Sequence, residues 1–198
     1  RLLLTLYPDD PAATVYAAQL SAALGHEDVA LQMLDHLIAK RPADQWALKT
    51  RSKVAEMRER GRGEQMATAA VVRLNQIMKP PRPGVPIELD ARGVLDLIMQ
   101  LSRLADYLQN WPFDIAKWAA LTGTLMNTRR YQEALLAMRA LQGVDPSPSV
   151  CDGMWGKGAT ERMLNELREN SSHADLSAGI ESPRECAQLI GARLRAGV

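Results

Sequence analysis

Lys49 and Lys53 stand four residues apart in a stretch that reads as helix, so their ammonium groups share one face. Such a pair can hold an acidic peptide or a C-terminal carboxylate; on a solvated helix face it does nothing specific. Trp46 opens the same stretch. Tryptophan is enriched among the residues that anchor protein interfaces, and it fills gaps between helices equally well. Arg58, Arg60 and Arg62 form a second basic group. Glu56, Glu59 and Glu64 interleave with them and cancel most of the field, so a solvated turn is the expectation there.

The residue types that carry catalysis or metal binding do not assemble. His26, His36 and His173 are scattered, and a metal site needs convergent ligands, so neither a metal nor a cofactor is expected. Cys151 and Cys186 match no CxxC or zinc spacing. They could form one disulfide, which would imply an oxidising compartment, or remain two ordinary thiols. The run Gly153-Met154-Trp155-Gly156-Lys157-Gly158 is glycine-rich with a lysine, but its spacing is wrong for a phosphate loop and no strand precedes it. Neither GxGxxG nor GxSxG occurs. A non-enzymatic role is the expectation.

These side chains sit on a chain built for helices. Aromatic residues make up only 5% of the sequence, and Ala, Leu and Met supply most of an apolar fraction of 46%. The 24 basic and 23 acidic residues leave a net charge of +1, too balanced for a dedicated nucleic-acid binder. No apolar run approaches the roughly 20 residues that a membrane helix needs.

Apolar periodicity and breakers predict helices over about 12–24 and 29–40, with a turn at Gly25-His26-Glu27-Asp28 between them. Two more are expected over 44–60 and 64–78, joined by a turn at Gly61-Arg62-Gly63. The four prolines of 80–86 break the pattern. A stripe resumes over 94–108, a further helix is expected over 159–169, and Ser182-Pro183-Arg184-Glu185 is a capped start for a last helix over 183–196.

Pro8 and Pro42 stand 34 residues apart, the period of the tetratricopeptide repeat. Trp118, Leu121, Ala134, Met138 and Pro146 fall at the spacing of that family's signature, W-x2-L-G-x2-Y, then A-x3-F, then P. Gly25, Ala30, Leu34 and Pro42 supply the matching elements of an earlier copy. The Ala-to-Pro distance is 12 residues in both. The chain therefore resembles a tetratricopeptide array. The 44–78 pair fills the next repeat position without the signature, since Arg51 and Ser52 stand where Leu and Gly would be. Residues 1–8 look like the last turns of a preceding repeat; the alternative is a free N-terminal helix that caps the fold.

The resemblance implies an all-α fold, an α-solenoid of antiparallel helix pairs wound as a right-handed superhelix. It divides into N-terminal helix pairs over 1–80, a Pro-rich loop over 81–93, a helix plus one repeat over 94–146, and irregular or capping helices over 147–198. It also implies that the first helix of each pair lines a groove where protein partners bind. Groove-facing positions would include Ala12, Val15, Gln19 and Ala22, then Trp46, Lys49, Lys53 and Glu56, then Ala116, Ala119, Gly123, Met126 and Asn127. Gln19, Trp46, Lys49, Lys53, Met126 and Asn127 are the candidate partner-binding residues. The Asn pattern of the chaperone-tail carboxylate clamp is absent.

The expected function is a scaffold that holds a protein or peptide within a larger assembly. Its Ala-, Arg- and Pro-rich composition looks bacterial, and similar arrays occur in exopolysaccharide-export and secretion systems of the bacterial envelope. That favours the periplasm. The alternatives are a non-catalytic soluble domain of a membrane-bound glycan polymerase or glycosyltransferase, and a cytoplasmic secretion chaperone.

Overall fold

The computed structural model describes residues 10–79, 87–144, 152, 156–170 and 182–197. The expected preceding-repeat helix over 1–8 and residues 81–86 of the Pro-rich loop lie outside them, and residues 91–93, expected in that loop, form the first turn of a helix. The described residues form eight helices: α1 Pro11–Ala23, α2 Glu27–Lys40, α3 Gln45–Ile77, α4 Ala91–Asn110, α5 Ile115–Asn127, α6 Tyr131–Val144, α7 Ala159–Asn170 and α8 Pro183–Ala196. No strand occurs among the described residues.

Short polar side chains set the helix starts. Asp10 accepts from Ala12 N at 2.9 Å, Asp44 from Trp46 N and Ala47 N at 3.1 and 3.0 Å, Asp90 from Gly93 N at 2.7 Å, and Asp114 from Lys117 N at 3.1 Å. Each satisfies a backbone donor that the first helical turn leaves orphaned. Ser182 and Glu185 close a reciprocal capping box at α8, as their spacing predicts.

The predicted turn at Gly61-Arg62-Gly63 does not form. α3 runs unbroken through it for 33 residues, so the two helices expected over 44–60 and 64–78 are one. The physical reason lies in what the segment lacks. Two interior glycines cost about 1 kcal/mol each relative to alanine. A break would instead strand several backbone donors and acceptors, and no Asp, Asn, Ser or Thr stands between Arg58 and Met66 to cap a new start.

The chain divides into two compact units within α3, at Gln65 and Met66. In the first, α1 packs on α2, and Val15, Ala18, Ala22, Ala30, Leu34, Leu37, Ala47 and Val54 form its core. Arg51 pairs with Asp35, and Arg58 with Asp28 at 2.9 Å, tying α3 to α2.

In the second unit Ala67, Ala70 and Leu74 of α3 join a core centred on Leu101, Leu104, Leu108, Trp118, Leu121 and Leu125. Arg73 bridges to Asp96 of α4 at 2.7 Å. α5 packs on α4 and α6, while α8 packs on both α6 and α4. In a solenoid each repeat contacts only its neighbours. Here the last helix also covers α4, so these four helices close on one another. The two helices meet at Gly191, where a Cβ would lie 3.6 Å from the Ala105 Cβ, an ordinary contact distance. Arg195 reaches Asp106 at 2.9 Å and Arg193 reaches Gln132 at 3.1 Å.

The pairs α1–α2 and α5–α6 repeat each other. Both have helices of 13 and 14 residues. Adding 104 to the residue number takes the cap Asp10 to Asp114, and buried Val15, Ala22, Ala30, Leu34 and Leu37 to buried Ala119, Met126, Ala134, Met138 and Leu141.

Candidate functional site

In the first unit α1 and the beginning of α3 flank a groove of about 500 Å³. Asp44 fixes where α3 begins, and helical spacing then presents Trp46, Lys49, Thr50, Lys53, Val54 and Met57 along one stripe. α1 contributes Gln19, Ala22 and Ala23. Ala22, Thr50 and Val54 are buried and form the floor, while Gln19, Lys49 and Lys53 are exposed at the rim. Trp46 is 39% exposed and meets Tyr16 edge-to-face with ring centroids 5.1 Å apart. That contact orients the indole while leaving part of it open, an aromatic arrangement common at binding surfaces. No acidic residue lines the groove, and neither lysine makes an ion pair among the described residues.

Four of the six sequence-predicted residues, Gln19, Trp46, Lys49 and Lys53, therefore converge on one surface. Val15, expected to face the groove, is fully buried instead, because it is a core contact between α1 and its neighbours. Met126 and Asn127 belong to the second unit. Met126 is only 7% exposed and packs in that unit's core, and Ala119 is fully buried there, so neither presents itself to a partner.

Asn127 does line a cavity, one the sequence reading passed over. Its walls are Met78, Ile87, Leu89, Val94, Leu97 and Ile98, with Asn127, Thr128, Arg129 and Arg130 along one side, and its volume is about 510 Å³. Arg129 has φ +58°, the single positive value among described non-glycine residues. The equivalent position of the first pair is Gly25, with φ +81°. A side chain in this left-handed region costs about 1–2 kcal/mol relative to the right-handed one. The signal was present in the sequence: the 104-residue offset sets an arginine where its counterpart has the residue the turn favours.

The remaining chemistry-bearing residues have structural partners. Asp152 accepts from Gly158 N at 2.9 Å and from Thr160 N and Thr160 Oγ1 at 3.1 and 3.0 Å. These bonds hold its carboxyl below the usual aspartate range. The anion-accepting end of α7, beside the glycine-rich run, is thus occupied by the protein's own carboxylate. Arg58 and Arg62 lie on α3 rather than in a turn, near Asp28 and Glu59. Trp118 is buried, donating to Pro112 O at 2.8 Å. Trp111 lies beside Tyr107, whose hydroxyl donates to Asp114 at 2.9 Å. Cys186 is an unbridged buried thiol, and burial raises its pKa. Cys151, Trp155 and His173 lie outside the described residues. Among those described, no group of three His, Cys, Asp or Glu side chains converges for a metal, and no helix is long and apolar enough to cross a membrane.

Compared with known proteins, the chain matches no family model, no curated protein and no solved structure.

Proposed function

We infer that this chain is a non-catalytic binding module built on tetratricopeptide-like helix pairs, and that the α1–α3 groove holds an acidic, partly apolar segment of a partner protein. The observation that carries this reading is the convergence of Gln19, Trp46, Lys49 and Lys53 on one groove with a mostly apolar floor and two lysines that make no ion pair among the described residues. Its charge complements carboxylates. Its floor and the half-open Trp46 complement apolar side chains spaced between them. Helices preorganise the rim, so the site loses little conformational entropy when a segment binds. The two matching helix pairs, with their shared lengths and caps, support the repeat resemblance. Such a module belongs in a larger assembly, and a bacterial envelope or secretion system remains our reading of its setting.

A peptide array that varies charge and hydrophobicity independently tests the groove. Peptides combining Asp or Glu with Leu, Ile or Phe should be retained, and their lysine-substituted counterparts should not. Lys49→Glu with Lys53→Glu should weaken the selected peptide about tenfold or more, the scale of one lost charge-assisted contact. Helicity and melting temperature should hold, because both lysines are exposed. Equal binding by the parent and the doubly reversed protein would remove the groove from the account.

A further inference from the structure

The second unit's cavity has a composition that its role in the fold does not explain. Among the described residues six apolar side chains wall it: Met78 beyond the end of α3, Ile87 and Leu89 from the segment before α4, and Val94, Leu97 and Ile98 from α4. Ile87 and Leu89 line it while Glu88 between them does not. The polar side is the α5–α6 turn. Of its four residues, Thr128 turns its hydroxyl back onto Thr124 O and Leu125 O at 2.9 and 3.1 Å. Asn127 is exposed.

Arg129 and Arg130 remain. Neither makes an ion pair among the described residues, although Arg130 is half-buried. Among the described residues no carboxylate lines the cavity. Arg129 and Arg130 thus line an apolar hollow without an ion pair to a described residue, whereas Arg58, Arg73 and Arg195 each have one. One of them also holds a backbone conformation that its counterpart in the first pair gives to glycine. Strain of this kind persists where the surrounding structure imposes it, and it concentrates at ligand-binding positions.

We propose that this cavity binds an amphipathic anion, an apolar chain ending in a carboxylate or phosphate, with the head group held by Arg129 and Arg130. Guanidinium forks match both head groups bidentately. The volume of about 510 Å³ falls within the range of small-ligand pockets, which are mostly apolar with a few placed polar groups. The ligand class differs from that of the α1–α3 groove, and the site stands or falls independently of it.

Calorimetric titration of the whole chain with decanoate and with decyl phosphate, below their micellar concentrations, tests this. Decanol and acetate serve as the uncharged and tail-less controls. At least one of the two anions should bind at one site, and which one binds identifies the head group. Decanol and acetate should bind about tenfold more weakly or not at all. Arg129→Gly with Arg130→Gln should lose about tenfold or more in affinity, the loss of one charge-assisted hydrogen bond. Glycine suits the left-handed turn, so this variant should fold, and circular dichroism checks it. Lys49→Glu with Lys53→Glu should leave binding unchanged. The proposal is overturned if neither anion binds, if decanol binds equally well, if the arginine variant keeps full affinity, or if the lysine variant loses it.

Discussion

Replacing Gly61 by alanine should stabilise the first unit by about 1 kcal/mol, and replacing Gly25 by alanine should destabilise it by a similar amount. The two glycines form a matched pair. Both belong to the same unit, and a Cβ built on either meets nothing within 4 Å. Neither substitution gains buried contact or incurs a clash, so what differs is the backbone. Gly61 lies inside α3, where glycine is about 0.8–1.0 kcal/mol less favourable than alanine. Gly25 has φ +81°, where a Cβ costs about 1–2 kcal/mol. A stiffer unfolded chain offsets roughly 0.4–1 kcal/mol of that. With a urea slope of about 2 kcal/mol/M, each change moves the midpoint by about 0.5 M, in opposite directions. Urea titration followed by circular dichroism reads both. If Gly61→Ala lowers the midpoint as Gly25→Ala does, the backbone at 61 turns with positive φ, and the residues after it form the separate helix of a repeat.

Gly191→Ala should be neutral or raise the melting temperature. The new methyl meets Ala105 at ordinary contact distance and the movable end of Arg195 at 3.2 Å, while helix propensity improves. Gly191→Leu has no such room against α4 and should lower the melting temperature, the usual outcome of overpacking, at about 1–3 kcal/mol. Asp152→Asn should destabilise the protein near neutral pH. The folded carboxyl has a lowered pKa, so its contribution is fully present above the ordinary aspartate value of about 3.9 and is lost as pH falls through the folded value. The stability difference between parent and variant, measured from pH 7 down to pH 2, should therefore shrink below pH 4; a constant difference would refute the capping role.

The local signals in the sequence were strong enough to place most helices. Asp10, Asp44, Asp114 and Ser182 are cap residues beside apolar periodicity, and the α8 boundaries agree with the reading from Ser182-Pro183-Arg184-Glu185. The exception is instructive. Glycine content alone predicts a turn at Gly61 and Gly63, but no Asp, Asn, Ser or Thr stands between Arg58 and Met66, and helix continuity depends on what a break leaves unsatisfied. The packing of α8 against α4 was not legible either. It rests on the close approach of Gly191 to Ala105, a match of shapes between distant residues that neither periodicity nor spacing encodes. At the candidate site, helical spacing alone puts Lys49 and Lys53 on one face beside Trp46, while Gln19 joins them only through what the repeat resemblance implies. Met126 failed because burial of a repeat position depends on the neighbours that cover it.

The two helix pairs separate what holds a pair together from what it can bind. Positions related by the 104-residue offset stay buried and small or aliphatic at the pair interface, as in Ala30 and Ala134 or Leu34 and Met138. Other positions diverge. Tyr16 and Leu20, 53% and 59% exposed in α1, correspond to Ala120 and Thr124 in α5, where Thr124 is buried and donates to Ala120 O. In the second unit α4 packs on α5 and large side chains there would have to be accommodated. In the first, α1 carries a large aromatic and an aliphatic side chain into solvent, and Tyr16 meets Trp46. Exposed apolar residues scattered singly are ordinary, but here they continue past the rim of a groove that also carries two lysines without ion pairs among the described residues. The pair that retains exposed aromatic surface is thus the pair beside the groove, and a partner segment long enough to reach Tyr16 and Leu20 should bind more tightly than one confined to the lysines and Trp46.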